Sequence, residues 1–209
     1  MADDSLRSRL AAFVPRMIWS LLDRDGEGSR TKGCALFADV AGFTPLTESL
    51  AKIGKEGAEE LTRILNDFFS AMVGIVHYEG GDVLRFGGDA MTVFFPAGIS
   101  TSLRAALRMQ EEALRFGTIE TRGGTFTLGM KIGIARGPLL LGTVGDAQIG
   151  RDYFAAGRCL DRAADAEHHA TRGQIALCPA CAQRLPKGAR GVEILADGFA
   201  LIAEPHRAG

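Results

Sequence analysis

The sequence lacks an apolar run long enough to cross a membrane, and it lacks an excess of either charge. A spanning helix needs roughly 18 or more apolar residues, and the longest candidate, residues 11–22, is interrupted by Pro15 and Arg16. With 24 basic and 25 acidic side chains, the formal net charge is -1. We therefore expect no membrane span and no binding of nucleic acid or anionic membranes through bulk charge, so that any anion site must be local.

Cysteine is also scarce, with four in 209 residues. The acidic start, Met1 to Asp4, is unlike a basic secretory signal, and it predicts an intracellular, cytoplasmic chain with reduced thiols. Cys178 and Cys181 form one Cys-x-x-Cys, whereas a zinc ribbon needs four ligands. The favoured interpretation is a surface pair on a helix turn, with a metal or redox role as the alternative.

The composition, 46% apolar and 23% charged, is typical of a globular protein with one core. Residues 1–32 are predicted to form an amphipathic helix and a polar linker, residues 33–203 the folded domain, and residues 204–209 a linker remnant. The helix is indicated by apolar residues at helical spacing, namely Leu6, Leu10, Phe13, Met17 and Leu21.

Hydrophobic periodicity within residues 33–203 predicts both helices and strands. Helices are expected over 61–76, 102–116 and 158–170, and strands over 34–38, 82–86, 91–95, 174–177 and 199–202. Gly87-Gly88 predicts a tight hairpin. A second hairpin is expected at Arg136-Gly137-Pro138, after a strand with one glycine-rich face on which another element packs tightly. This alternation indicates an α/β or α+β fold with a mixed sheet.

The first candidate site is the segment after the strand 34–38. Asp39 ends the strand, and the glycine-containing loop that follows leads to a predicted helix with Thr44 as N-cap and Pro45 as first residue. Such a helix start binds phosphate. A carboxylate beside it would repel phosphate unless a divalent cation lies between them. By itself, an aspartate such as Asp39 is more often only a turn or cap residue at the end of a strand.

The second candidate is Asp89, at the tip of the Gly87-Gly88 hairpin. A turn aspartate is the simple interpretation. If a helical crossover places its strand beside that of Asp39, the two carboxylates could hold a pair of Mg²⁺ or Mn²⁺ ions.

Three segments in this order, FADVAGFTPLTESL, GGDVLRFGGDAMTVFF and KIGIARGPLLLGTVG, closely resemble the class III nucleotidyl cyclase catalytic domain, nearest to its soluble adenylyl cyclase branch. The resemblance spans about residues 33–203. It implies an α+β fold with a ferredoxin-like βαββαβ core, a mixed, mostly antiparallel sheet and flanking helices. It also implies head-to-tail dimers with interface sites, where ATP is converted to 3′,5′-cyclic AMP and pyrophosphate.

The resemblance also assigns roles to individual positions. Asp39 and Asp89 match the aspartates that bind two Mg²⁺ or Mn²⁺ ions, and the carbonyl of Val40 matches a further ligand. The triphosphate loop matches Ala41, Gly42, Phe43 and Thr44.

The groups that read the base and stabilise the transition state differ from the family pattern. Arg85 occupies the position of the adenine-reading lysine, and Phe154 that of its Asp or Thr companion. Asp161 and Asp165 replace the transition-state Asn and Arg. Phenylalanine cannot accept a hydrogen bond, and aspartate repels phosphoryl charge.

This pattern predicts that the chain is the metal-binding half of an adenylate cyclase and needs a complementary cyclase domain. Whether the site prefers ATP or GTP is left open by the sequence. One alternative is a noncatalytic regulatory or dimerisation module, with anion sensing at Arg85 as a variant. Another is an active homodimer that uses Arg85, Arg158 or Arg162 as substitutes. Arg158 and Arg162 are otherwise expected to form surface ion pairs, and His168 and His169 to lie on a solvated helix face.

Overall fold

The computed structural model describes residues 14–19, 21, 28–146, 148, 150–186, 188, 189 and 191–203. The strands are β1 Ser29–Ala41, β2 Asp82–Gly87, β3 Ala90–Phe95, β4 Thr118–Thr121, β5 Gly124–Thr127, β6 Gly129–Asp146, β7 Gly150–Ala156, β8 Ile175–Leu177, β9 Val192–Ile194 and β10 Ala200–Ile202. The helices are α1 Arg16–Trp19, α2 Phe43–Ala51, α3 Lys55–Tyr78, α4 Ile99–Phe116, α5 Arg158–Glu167 and α6 Pro179–Ala182.

The main sheet has the strand order β2-β3-β1-β6-β8-β10-β9, and β7 pairs with β6. Pairs β2–β3, β3–β1 and β1–β6 are antiparallel, whereas β6 and β8 are parallel. Helices connect β1 to β2 and β3 to β6. The predicted α+β fold, with a βαββαβ core and a mixed, mostly antiparallel sheet, is confirmed.

The two faces of the sheet differ in how they are covered. Leu36, Ala38 and Val40 of β1 are buried on one face, where Gln110 of α4 donates a hydrogen bond to the carbonyl of Met130. On the other face of β1, Ala35 is fully buried, whereas Phe37 and Asp39 are half-buried. Helix α5 packs on this face mainly against β6 and also contacts β1 and β8, and the Asp39 side chain stays 26% exposed.

The close packing of α5 follows from the glycine-rich face of β6. A Cβ at Gly133 would collide with the backbone of Ala163 and Glu167, and one at Gly137 would lie 3.1 Å from the Cβ of Cys159. The predicted tight packing on this face is therefore confirmed.

The hairpin predicted at Arg136-Gly137-Pro138 is wrong, because β6 continues through these residues to Asp146. Pro138 lies opposite Lys32 of β1. Strand β8 ends opposite Ile134, and the antiparallel β7 ends opposite Leu140, so β6 has a strand on only one edge in between. Proline is tolerated at such a position.

Several other predictions are modified by the structure. Strand β1 begins at Ser29, inside the segment predicted as linker. Cys178 and Cys181 do lie at a helix start, but both are buried, not on the surface. Of the predicted N-terminal helix, Leu6, Leu10 and Phe13 lie outside the described residues, as does the segment 204–209. No helix in the described ranges is long and apolar enough to span a membrane.

Candidate active site

Asp39 and Asp89 lie at the same end of two adjacent strands. Asp39 is paired with Ala90, the residue that follows Asp89. The backbone N–H of Val40 donates to the carbonyl of Asp89 at 3.2 Å. The crossover through α2 and α3 thus brings the two segments together, as the sequence interpretation required.

Lys131 links Asp39 to the helix on the accessible face. It is the β6 partner of Asp39, and its Nζ lies 3.0 Å from Oδ2 of Asp39 and 2.5 Å from Oε1 of Glu167. The Glu167 side chain is only 3% exposed. Burial would lower the pKa of Lys131, but the hydrogen bonds with Glu167 and Asp39 outweigh it and raise that pKa. The ammonium is therefore held charged beside Asp39.

The loop after Asp39 turns at Gly42. This residue has φ 91°, and a Cβ there would collide with the carbonyl of Thr127 and lie 3.6 Å from Nη2 of Arg172. Glycine is required by this left-handed conformation and close approach. Helix α2 begins at Phe43 with Gly42 as N-cap, so the prediction of Thr44 as N-cap and Pro45 as first helical residue is wrong. The loop carries a helix N-terminus and, nearby, the Arg172 guanidinium.

Arg85 lies on β2 beside a bulge. The register shifts between Val83 and Arg85, which pairs with Thr92. The carbonyl of Leu84, at this bulge, accepts a 2.5 Å hydrogen bond from the hydroxyl of Tyr153 on β7. Arg85 and Tyr153 both line a cavity of ≈ 540 Å³. Phe154 is the next residue of β7, and its side chain lies on the opposite face from Tyr153, so the structure does not bring it to the cavity of Arg85.

Helix α5 carries Asp161 and Asp165, two of the four positions that differ from the pattern of the family that the sequence resembles. Asp161 and Asp165 are both exposed and lie four residues apart, on one face of the helix. The ion pairs predicted between Arg158 or Arg162 and the acidic residues of α5 are absent from the part of the chain that the structure describes.

The two histidines after α5 differ. His168 is exposed, as predicted. His169 instead stacks on Phe199 at 4.0 Å, and its Nε2 lies 2.9 Å from Oδ2 of Asp197. The hydrogen bond with the Asp165 carbonyl and the contact with Asp197 raise the pKa of His169, against a smaller opposing effect of burial. Its role is to fix the turn before β10.

The residues present fit a divalent cation whose remaining ligands come from the substrate. Carboxylates of Asp39 and Asp89 and the carbonyl of Val40 are oxygen donors, which Mg²⁺ and Mn²⁺ prefer. No group of three or more metal-ligating His, Cys, Asp or Glu side chains occurs within the described ranges. Magnesium commonly uses one or two carboxylates together with substrate phosphates, so two aspartates suffice.

Sequence reasoning missed Lys131, Glu167 and Arg172. Lys131 lies inside the segment KIGIARG, where a lysine among apolar strand residues was a usable signal. Glu167 and Arg172 carry no such signal, since their contacts depend on the packing of α5 and the loop that follows it.

The comparisons with known proteins point to one family. The model of the adenylate and guanylate cyclase catalytic domain matches residues 29–198. Adenylate cyclase type 10 of Oryctolagus cuniculus is 30% identical over 174 residues, which are 79% of this chain and 10% of that protein. The adenylate cyclase of Anabaena cylindrica is 30% identical over 145 residues, 64% of this chain and 28% of that protein.

A solved bacterial light-regulated adenylyl cyclase has a TM-score of 0.71 at 19% identity, over 96% of this chain and 60% of that one. This likeness supports the fold. The chain spans only 10% of the length of the mammalian relatives that it matches.

Proposed function

Because the chain belongs to the adenylate and guanylate cyclase catalytic domain family, we propose that it is the metal-binding half of an adenylate cyclase, which converts ATP to 3′,5′-cyclic AMP and pyrophosphate. A complementary cyclase domain would supply base recognition and the transition-state groups. The observation that carries the proposal is the placement of Asp39 beside the Asp89 turn, on a face of the sheet that is left partly open.

The substrate phosphates would bind at the loop 41–44, beside Lys131 and Arg172. The ammonium of Lys131 has three N–H donors. The ammonium nitrogen lies 3.0 Å from Asp39 and 2.5 Å from Glu167, and one of its donors would bind a phosphate oxygen. Backbone N–H groups at the start of α2 and the guanidinium of Arg172 flank the same loop. Residues 41–44 are therefore proposed as the triphosphate loop.

Asp39, Asp89 and the carbonyl of Val40 would hold two Mg²⁺ or Mn²⁺ ions. When bound, such ions activate the ribose 3′-hydroxyl and neutralise the charge on leaving pyrophosphate. Lys131 orients the Asp39 carboxylate for this role, and it is itself fixed by the buried Glu167. The protein needs no covalent intermediate, because positioning and charge stabilisation suffice for phosphoryl transfer.

The need for a complementary domain is inferred from Phe154, Asp161 and Asp165. An aromatic ring in place of an acceptor cannot select adenine, and two exposed carboxylates on α5 repel a phosphoryl group. A homodimer would therefore have two incomplete sites, whereas a heterodimer would have one complete site.

The test is a cyclase assay with Mg²⁺ or Mn²⁺ on this chain alone and mixed with a cyclase domain that carries Lys, Asp or Thr, Asn and Arg at the corresponding positions. We expect cyclic AMP only from the mixture. Asp39→Asn and Asp89→Asn should each lower that activity by at least about 100-fold.

Asp67→Asn serves as the matched control, since Asp67 is exposed on α3 and paired only with Arg63. Each variant is first shown to be folded by circular dichroism. If the folded mixture forms no product, binding of a nonhydrolysable ATP analogue with Mg²⁺ is measured next. Failure of both would favour a noncatalytic regulatory or dimerisation module instead.

A further inference from the structure

A second cavity lies far from Asp39, where β6 has no partner on one edge. Its volume is ≈ 480 Å³, and its lining includes the side chains of Arg30, Arg136, Arg158 and Arg162. Arg30 lies opposite Leu140 on β6, whereas Asp39 lies opposite Lys131. Nine residues of strand correspond to roughly 30 Å, so this cavity is separate from the metal-binding end of the sheet.

The side chains of the four arginines that line this cavity have no counter-charge among the described residues. None of these side chains makes a hydrogen bond or an ion pair with another residue of the described ranges. Among the described residues, the cavity lining contains no aspartate or glutamate. Arg104 and Arg108 both pair with Glu79, and Arg115 pairs with Glu112, so exposed arginines of this chain can form ion pairs. Within the described ranges Arg85, Arg172 and Arg184 also form none, and what sets the four arginines apart is that they line one cavity.

This lack of pairing is not explained by a shortage of acidic residues. Asp161 and Asp165 lie on α5 itself, at positions from which they could pair with Arg158 and Arg162. Arg158 and Arg162 instead line the cavity with Arg30 and Arg136, and four neighbouring positive charges repel one another unless an anion is bound.

A neighbouring cavity extends the positive region. It has a volume of ≈ 270 Å³ and shares Arg136 with the first, while Lys32 and Arg184 add two more cations, and no acidic residue from the described part of the chain lines it. Helix α5 begins at Arg158, at the edge of the larger cavity, so the positive end of its dipole adds to the field. On a chain of formal net charge -1, this concentration of one sign is local.

We propose that this cavity, which we name the four-arginine pocket, binds a small polyphosphate anion. Guanidinium groups bind phosphate oxygens in pairs of parallel hydrogen bonds, and several arginines are suited to a ligand with more than one phosphate. A volume of ≈ 480 Å³ is that of a small-molecule site. The chain would therefore carry an anion site in addition to its proposed catalytic end.

The test is calorimetric titration of the chain with inorganic pyrophosphate in the presence of EDTA, so that no divalent ion can bind at Asp39. We expect saturable binding that weakens as salt is raised. The variant Arg158→Ser/Arg162→Ser should weaken it at least tenfold, whereas Arg63→Ser, an exposed arginine on α3, should leave it unchanged.

Two further measurements make the outcome decisive. Amide NMR shifts induced by pyrophosphate should cluster at residues 136–140 and 156–162, and Asp39→Asn should bind pyrophosphate as the unaltered chain does. Absence of binding at millimolar pyrophosphate, equal weakening by Arg63→Ser, or shifts confined to residues 39–44 would each overturn the proposal. None of these results depends on whether the chain is a cyclase.

Discussion

At the scale of single residues, Lys131 holds the candidate site together through contacts with Asp39 and Glu167. The Glu167 side chain is 3% exposed, so its charge depends on that ammonium. Since the pKa of Lys131 is raised above 10.5, the ion pair contributes its full stability below that value and loses it only as pH rises through the higher folded pKa.

We predict that Lys131→Met lowers the free energy of unfolding by about 2 kcal/mol or more, because it leaves a buried carboxylate without its cation. Lys55→Met is the control, since Lys55 and Glu59 form an exposed pair whose loss should cost at most about 0.5 kcal/mol. Urea denaturation at pH 7 measures both. Equal losses in the two variants would show that Lys131 does not support Glu167.

His169 and Asp197 provide a pH-dependent contact. Because the pKa of His169 is raised, its pairing stabilises the fold fully below pH 6.5 and this contribution is lost as pH rises through the higher folded pKa. A double-mutant cycle with His169→Gln and Asp197→Asn should therefore give a favourable coupling energy at pH 5.5 that disappears by pH 8.5. A coupling energy that does not change with pH would contradict this assignment.

At the scale of elements, the contact between β6 and α5 depends on Gly133. We predict that Gly133→Ala destabilises the protein by about 2–3 kcal/mol, since the new methyl group meets helix backbone that cannot move aside. Gly74→Ala on α3 is the matched control: a Cβ there meets nothing within 4 Å, and the change should stabilise by about 0.5–1 kcal/mol. Thermal denaturation measures the stability of both variants. If both substitutions stabilise the protein, α5 can shift to accommodate the added methyl group.

The elements also show how far local sequence patterns can be trusted. The periodicity over 61–76 correctly predicts the interior of α3, and Gly87-Gly88 correctly predicts the β2–β3 turn. Arg136-Gly137-Pro138 has the composition of a turn but lies within a long strand. Turn residues indicate only a local backbone preference. The strand continues through them because β1 pairs with β6 along this edge.

At the scale of the whole molecule, the ribbon formed by β6 and β7 bears an exposed apolar stripe. Leu140, Val144 and Phe154 share one face of this ribbon, and they are 36%, 52% and 37% exposed. Under the proposed function, the complementary cyclase domain covers this stripe.

We predict that Val144→Lys lowers the affinity for the complementary domain at least tenfold without changing the melting temperature, because a charge would be buried in the apolar contact. Ile194→Lys is the control: Ile194 is 61% exposed on β9, at the opposite edge of the sheet. Analytical ultracentrifugation of the mixed domains measures the association. If both variants associate as the unaltered chain does, the stripe is not the interface.

The sequence by itself determined the fold class, the main helices, the β2–β3 hairpin and the family, because these depend on local periodicity and on motifs that are contiguous in the chain. The tertiary structure alone decided that Lys131 joins Asp39 to Glu167, that Gly42 caps α2, and that four arginines from β1, β6 and α5 surround one cavity. These contacts join residues far apart in sequence, and they exist only once β1 pairs with β6 and α5 packs on the glycines of that strand.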